Sequence, residues 1–339
     1  MIKRVVICLA ALTLTAGFGA GLERVEIAGA TSVTPFAEVV QKILHDDILV
    51  TLNQRGSTRG LRQLCEKASV PTVVLSSHRV TAETLDRCRV HGFDWLREIK
   101  VARYGLVLAQ NASTSPLELT TRDLFLALGA RTPLSDQDCT LLTNNRTSWS
   151  AVRSSLPARP ILMIGPAQGT DRFNDFVDLA LRDGARSFPC LATLEVKAPQ
   201  IFDRAVKVRN DQHWVVAGDD EGAVAGVLRH LPHGLALFGW SSLIGTDELA
   251  ILPLNGVHPT TSTIADRTYP LTQDFYLYTA EAHLGEESAV RRVVEPFVNL
   301  GETSPGGRLF EIGFVPPRDS ELSYLVNVAS GERSAALSP

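Results

Sequence analysis

The feature that most limits the folds open to this chain is a repeated unit. An apolar run leads into a turn rich in Ser, Thr and Gly, and the turn leads into residues at helical spacing. Val25-Glu26-Ile27-Ala28 reads as a short strand and residues 29–34 as a small-residue turn. Pro35 fits the first position of a helix through Phe36, Val39, Val40, Ile43 and Leu44. Residues 48–52 are strand-like again and run into residues 53–60, after which Leu61, Leu64 and Cys65 give helical spacing. Residues 72–75 predict a third strand, stopping at Ser76-Ser77-His78-Arg79. Strands alternating with helices in this way predict an α/β fold with mostly parallel strands.

A long apolar segment over residues 98–110 separates this stretch from a second one of the same kind. There, residues 161–164 predict a strand, 165–170 a turn and 173–181 a helix, with later strands at 235–238, 249–254 and 275–279. No linker, low-complexity segment or repeat of 20–50 residues divides the chain. Its 339 residues suggest about two domains, so the chain is expected to cross between them through strands.

Four of the turns share one chemistry. Gly29-Ala30-Thr31-Ser32 and Gly56-Ser57-Thr58-Arg59-Gly60 each precede a predicted helix. Ser76-Ser77-His78 follows a strand, and Gln168-Gly169-Thr170 opens a helix in the second half. Helix N-termini carry unpaired N–H groups and a favourable dipole for anions, glycine lets a ligand approach the backbone, and hydroxyls add compact donors. Turns of this kind also cap helices with no ligand involved.

Charge excludes one class of partner. With 33 Lys+Arg against 37 Asp+Glu, the net charge of −4 argues against a nucleic-acid surface, while a small anion remains within reach of local dipoles. The basic Met1-Ile2-Lys3-Arg4, the uncharged residues 5–16 and the small residues 17–21 read as an export signal, against the alternative of a buried N-terminal strand. Removing residues 1–21 takes away Lys3 and Arg4 and no acid, so the charge would move from −4 to −6. Cys8 would leave with the signal. The remaining Cys65, Cys88, Cys139 and Cys190 allow three disulfide connectivities, and the sequence-local one, Cys65 with Cys88 and Cys139 with Cys190, is preferred over free buried thiols. No C-x-x-C motif occurs, His230-Leu231-Pro232-His233 has a proline inside the pair, and neither G-x-S-x-G, H-E-x-x-H nor a P-loop ending is present. The expectation is therefore a protein with no enzymatic activity, no metal and no cofactor.

In the order of its motifs the chain resembles the periplasmic phosphate-binding components of ABC importers, within their subgroup of secreted phosphate-binding-like proteins. Residues 29–36, GATSVTPF, are similar to the family's GSSTVYPF, and residues 56–65, GSTRGLRQLC, to GTGGGFKLFC. Ser77-His78-Arg79-Val80 stands where the subgroup has SRRI, with Glu83 and Cys88 following, and Gly165-Pro166 with Gly169-Thr170 resembles GPP…SGT. Asn255-Gly256-Val257-His258-Pro259, Thr263-Ile264-Ala265-Asp266 and Tyr269-Pro270-Leu271 match NGV.P…TIADG.YPL. The resemblance covers nearly all of the chain after the signal.

It implies a two-lobed periplasmic binding protein fold with the ligand in an interlobe cleft. Residues 22–103 and 250–330 would form lobe I, and 104–249 lobe II. It also implies a secreted, monomeric periplasmic protein that captures phosphate or a similar tetrahedral oxyanion and docks on an ABC permease complex in the inner membrane. Thr31, Ser32, Ser57, Thr58 and Ser77 are the expected ligand residues of lobe I, and Gly169 and Thr170 those of lobe II. Four departures bear on this set. Ser77-His78 and Thr72 stand where an acidic acceptor is expected, Gln168 replaces the serine of SGT, Tyr104-Gly105 replaces Asp-Gly, and Thr58-Arg59 replaces Gly-Gly. Arg59 is expected to make a bidentate contact with the anion, and His78 to accept one hydrogen bond when neutral or donate two when protonated; both also fit a solvated surface. A second reading follows from the altered turns: a periplasmic interaction or sensory protein on the same scaffold.

Overall fold

Strand order shows how the chain builds two lobes on one sheet. The structure, a computed structural model, describes residues 22–66, 71–218, 220–243, 246–285, 287–299, 308–317, 326–329 and 332–335. The expected export signal at 1–21 lies outside the described residues, as do parts of the 250–330 segment. β1 (Glu23–Gly29), β2 (Ile48–Asn53) and β3 (Thr72–Ser76) are parallel, with β1 between the other two. Helices α1 (Thr34–Ile43), α2 (Ser57–Cys65) and α3 (Ala82–Val90) follow them in turn. Each helix buries an apolar stripe against the strands, such as Phe36, Ala37 and Val40 on α1.

The long apolar segment becomes one strand, β4 (Leu96–Asn111), buried along almost its whole length. Its first part, to Gly105, pairs antiparallel with a late strand, Thr272–Ala280, and from Leu106 onward it pairs with Leu235–Gly239. One strand therefore carries the chain from the first group of strands to the second, with the hand-over between Gly105 and Leu106. A two-stranded hairpin, β5 (Arg131–Pro133) with β6 (Leu141–Thr143), follows α4 (Thr121–Leu128). Beyond α5 (Trp149–Val152), the second group is completed by β7 (Met163–Gly165), β8 (Trp214–Val216), β9 (Leu235–Gly239) and β10 (Leu249–Ile251). With β11 (Thr272–Ala280) the main order is β2-β1-β3-β11-β4-β9-β7-β8. β10 pairs with the far end of β4. β12 (Val326–Ala329) pairs with the near end of β4 and with β13 (Glu332–Ala335).

Most predicted elements form, with shifted edges. α2 starts at Ser57, so Ser57, Thr58 and Arg59 belong to its first turn and not to the loop before it. Gly56 makes this possible by taking a positive φ of 105° immediately before the helix. The strand expected at 161–164 is Met163–Gly165, and the one at 249–254 stops at Ile251, two residues before Pro253. The helix expected at 173–181 is α6 (Asp171–Phe176), continued as a π-helix over Val177–Arg182.

Both expected disulfides are present, Cys65–Cys88 and Cys139–Cys190. The first joins the C-terminal end of α2 to α3 and so fixes the helix whose other end carries Ser57 to Arg59. At the crossing, Arg103 on β4 is fully buried and donates to Asp274 on β11 at 2.8 Å. Asp274 also meets Lys100 at 3.3 Å and the Arg267 guanidinium, so three cations compensate one buried carboxylate where the strands pass between lobes. Among the described residues no helix is long and apolar enough to cross a membrane, and no group of His, Cys, Asp and Glu is arranged to hold a metal ion.

Candidate functional site

The turns that end β1 and β7 face each other across the gap between the lobes. Gly29 ends β1 with φ of 131°, packed so closely on β3 that a Cβ would overlap the Leu75 carbonyl. This close approach aims the following Thr31 and Ser32 at the second lobe. From that lobe, Thr170 caps α6 and Arg172 lies in its first turn. Together with Pro35, Tyr104, Glu221, Ser242, Ile312 and Phe314, these residues line a cavity of about 220 Å³.

On this cavity wall the Ser32 hydroxyl is buried and makes no hydrogen bond among the described residues. Arg172 is ion-paired with Glu221 at 2.7 Å. Glu221 in turn accepts from the Gly239 N–H at 2.8 Å and from the Ser242 hydroxyl. Tyr104, held between Phe275 and Phe314 with ring centroids 6.0 and 5.7 Å away, hydrogen-bonds Arg172, and burial raises its phenol well above the ordinary range. A Cβ on Gly239 would overlap the Tyr104 hydroxyl, so the glycine leaves room for that arrangement.

The expected ligand residues do not converge on one chamber. Thr31, Ser32 and Thr170 reach the small cavity. Thr58, Arg59 and Gly169 instead line a neighbouring groove of about 720 Å³, with Arg55, Gly56, Arg62, Gln63, Glu66, Asp171 and Asn174. Ser57 and Ser77 are fully buried and serve each other: the Ser77 N–H donates to the Ser57 hydroxyl at 3.0 Å, with the two hydroxyls 3.4 Å apart. The Thr170 hydroxyl donates its proton to the Ala167 carbonyl at 2.8 Å, and its oxygen caps α6 by accepting from the Phe173 N–H at 3.3 Å. His78 lines neither space. Partial burial lowers its pKa, while Asp171 and Asp178 pull the other way.

Acids on and after α6 also reach this region. Asp171 accepts a hydrogen bond from the Thr31 N–H at 3.2 Å. Asp175 is buried and hydrogen-bonds Ser77, so a carboxyl does lie beside the third turn, but it comes from the opposite lobe. Its pKa is pushed well above the carboxylate range by burial first and by Asp171 next; the Ser77 hydrogen bond opposes the shift. Asp178 is also raised, again by burial first, with Arg182 opposing. A signal for these groups was present: Asp171, Asp175 and Asp178 are spaced four and three apart, which places them on one face of a helix opening at a candidate ligand turn.

Chemically, the small cavity offers a free hydroxyl and a guanidinium as donors and the Glu221 carboxylate as an acceptor. That combination suits a small oxyanion retaining a proton.

Solved structures similar to this chain share its fold. One is described as a possible phosphate binding protein from Planctomyces limnophilus DSM 3776, at 21% identity and TM-score 0.59, covering 88% of this chain and 94% of that one. An ABC-type phosphate transport receptor from Vibrio cholerae has 16% identity and TM-score 0.59, covering 86% and 100%. A phosphate-binding protein from Stenotrophomonas maltophilia has 12% identity and TM-score 0.52, covering 87% and 90%. No curated protein matches the chain in sequence. The family model described as a PBP superfamily domain matches residues 15–299, most of the chain, and with the two-lobed fold around β4 this makes the protein a member of the PBP superfamily.

Proposed function

We propose that the protein is a solute-binding component of an ABC importer that captures a small tetrahedral oxyanion, phosphate in first place, between its lobes. The observation that carries this reading is the Ser32 hydroxyl, buried without a partner on a cavity wall that Thr170 and Arg172 face from the other lobe. A hydroxyl left this way in a polar cavity is a donor waiting for an acceptor. The solved structures it is similar to include proteins described as phosphate-binding.

Capture would proceed through lobe closure. A ligand favours the closed form only if it binds that form better, which here means contacts from Thr31 and Ser32 on one side and Arg172 on the other. Glu221 and Asp171 are acceptors, so the anion must bring a proton to be tolerated. Phosphate and arsenate do so near neutral pH, and sulfate does not. We further propose export to the periplasm, a monomeric state, docking on an inner-membrane permease, and lobes divided as 22–103 with 250–330 against 104–249. In this reading the protein is a binder and carries out no catalysis.

A second reading has its own support. The Thr31 N–H is already occupied by Asp171, as expected if the scaffold serves interaction or sensing with a degenerate anion site. Calorimetric titration of the purified chain with phosphate, arsenate and sulfate separates the two. Saturable heat with phosphate and arsenate supports the importer reading, and no heat and no thermal shift with any of the three supports the second.

A further inference from the structure

Three arginines that the fold does not use stand at the mouth of the cleft. Arg55, Arg59 and Arg62 are exposed and line the groove of about 720 Å³. Among the described residues none of them has an ion-pair or side-chain hydrogen-bond partner. Gln63 beside them is tied down by Glu26 and Asn53, so the groove floor on this side is fixed while its cations are not.

The groove adjoins the small cavity. Gly169 and Asp171 line the groove, and Thr170 and Arg172, alternating with them in the chain, line the cavity. Asp171 stands at the boundary: it lines the groove, and its carboxylate accepts from the N–H of Thr31, which lines the cavity. Gly56 lies beside that carboxylate, where a Cβ would make an ordinary contact of 3.7 Å, so it is the positive φ of 105° and not crowding that favours glycine there. Charge separates the chambers as well. The small cavity pairs its one guanidinium with Glu221, whereas the groove holds three guanidiniums against Asp171 and Glu66. At about 220 Å³ the inner chamber is below the usual range of small-molecule pockets, roughly 300–1,000 Å³, and the groove falls within it.

We propose that the groove between Arg55, Arg59 and Arg62 on one lobe and Gly169, Asp171 and Asn174 on the other is a second anion subsite, so that the preferred ligand carries two linked anionic groups, as pyrophosphate does. One group sits against Ser32 and Arg172, displacing Asp171 from Thr31, and the other is held by the arginines. Guanidiniums suit the outer group because each can give two parallel hydrogen bonds to an oxyanion. Both subsites span the lobes, so each group adds to the preference for the closed form. The proposal rests on the oxyanion reading of the cleft and narrows its ligand class.

The test is calorimetry of the purified chain with orthophosphate and with pyrophosphate at one fixed ionic strength, for three proteins: the parent chain, Arg59→Ala/Arg62→Ala, and Arg131→Ala. Arg131 is an exposed arginine outside both chambers and controls for charge removed anywhere. Pyrophosphate is expected to bind about tenfold or more tighter than orthophosphate, a margin that one good charge-assisted contact supplies. The double variant should lose about that factor for pyrophosphate and leave orthophosphate within about twofold, with Arg131→Ala changing neither. Orthophosphate binding with no gain for pyrophosphate overturns the second subsite and leaves the cleft reading intact. Equal losses for both ligands in the double variant also overturn it, since the arginines then act as a general field. Binding of neither ligand overturns both readings.

Discussion

Thr31 and Asp171, 140 residues apart in the chain, are joined by a hydrogen bond of 3.2 Å from the Thr31 N–H to the Asp171 carboxylate. Thr31 sits in the turn before α1 and Asp171 in the first turn of α6, so an acid of one lobe holds a backbone donor of the other, one that the proposed anion would use. Asp171→Asn removes a negative charge from the cleft and weakens the competition for that donor. Oxyanion affinity should rise by about tenfold, the effect of one nearby like charge at intermediate dielectric. Titrating the variant and the parent with phosphate checks this, and an unchanged affinity would place Asp171 outside the ligand's field.

Ser32→Ala separates binding from folding. The hydroxyl has no partner among the described residues, so its loss removes no hydrogen bond there. Stability should change by less than about 0.5 kcal/mol, while phosphate affinity should fall by roughly tenfold or more, the weight of a hydrogen bond to a charged group. Thermal unfolding and titration on the same sample read both. A large loss of stability with unchanged affinity would make Ser32 a structural residue.

Asp175 sets a pH dependence whose sign follows from its raised pKa. In the unfolded chain this carboxyl ionises near 3.9, and in the fold it holds its proton to higher pH. Between those two values the folded state binds more protons, so this group's contribution to stability falls as pH rises and then levels off above the folded pKa. Asp175→Asn keeps an amide beside Ser77 and has no charge to bury. Relative to the parent, the variant should gain stability from pH 4 toward neutrality. Melting temperatures of both proteins across that range check it, and a constant difference would show that Asp175 is ionised alike in the folded and unfolded states.

The Cys65–Cys88 bridge anchors α2 at the end opposite Ser57, Thr58 and Arg59. Replacing both cysteines by serine should lower stability by roughly 3 kcal/mol, the loop-entropy estimate for a closure of this length. Because α2 carries Thr58 and Arg59 at its opposite end, in the proposed outer subsite, pyrophosphate affinity should fall as well. Denaturant unfolding gives the first quantity and calorimetry the second. Full affinity in the variant would show that packing alone positions the first turn of α2.

What could be read in the sequence was what depends on local pattern. The strand–turn–helix units formed because apolar runs and helical spacing each match one element, as in β1 with α1, and the sequence-local disulfides joined neighbouring elements. The site was only half legible, for a geometric reason. Ser57 looked like an open donor in a Gly-rich turn, yet Gly56 starts the helix at Ser57 and turns that hydroxyl inward onto Ser77. Thr58 and Arg59 are carried out to the groove by the same turn. Thr170 looked like a ligand hydroxyl and is a helix cap. Arg172, Asp175 and Glu221 gained their roles only from the apposition of two lobes, which no local spacing encodes.

The central claim is that an oxyanion is held by groups from both lobes at once. Its most direct test is one calorimetric series with phosphate on the parent chain, on Ser32→Ala and on Arg172→Gln. Saturable binding at one site per chain is expected, weakened by about tenfold or more in each variant. Phosphate binding that neither substitution weakens would contradict it.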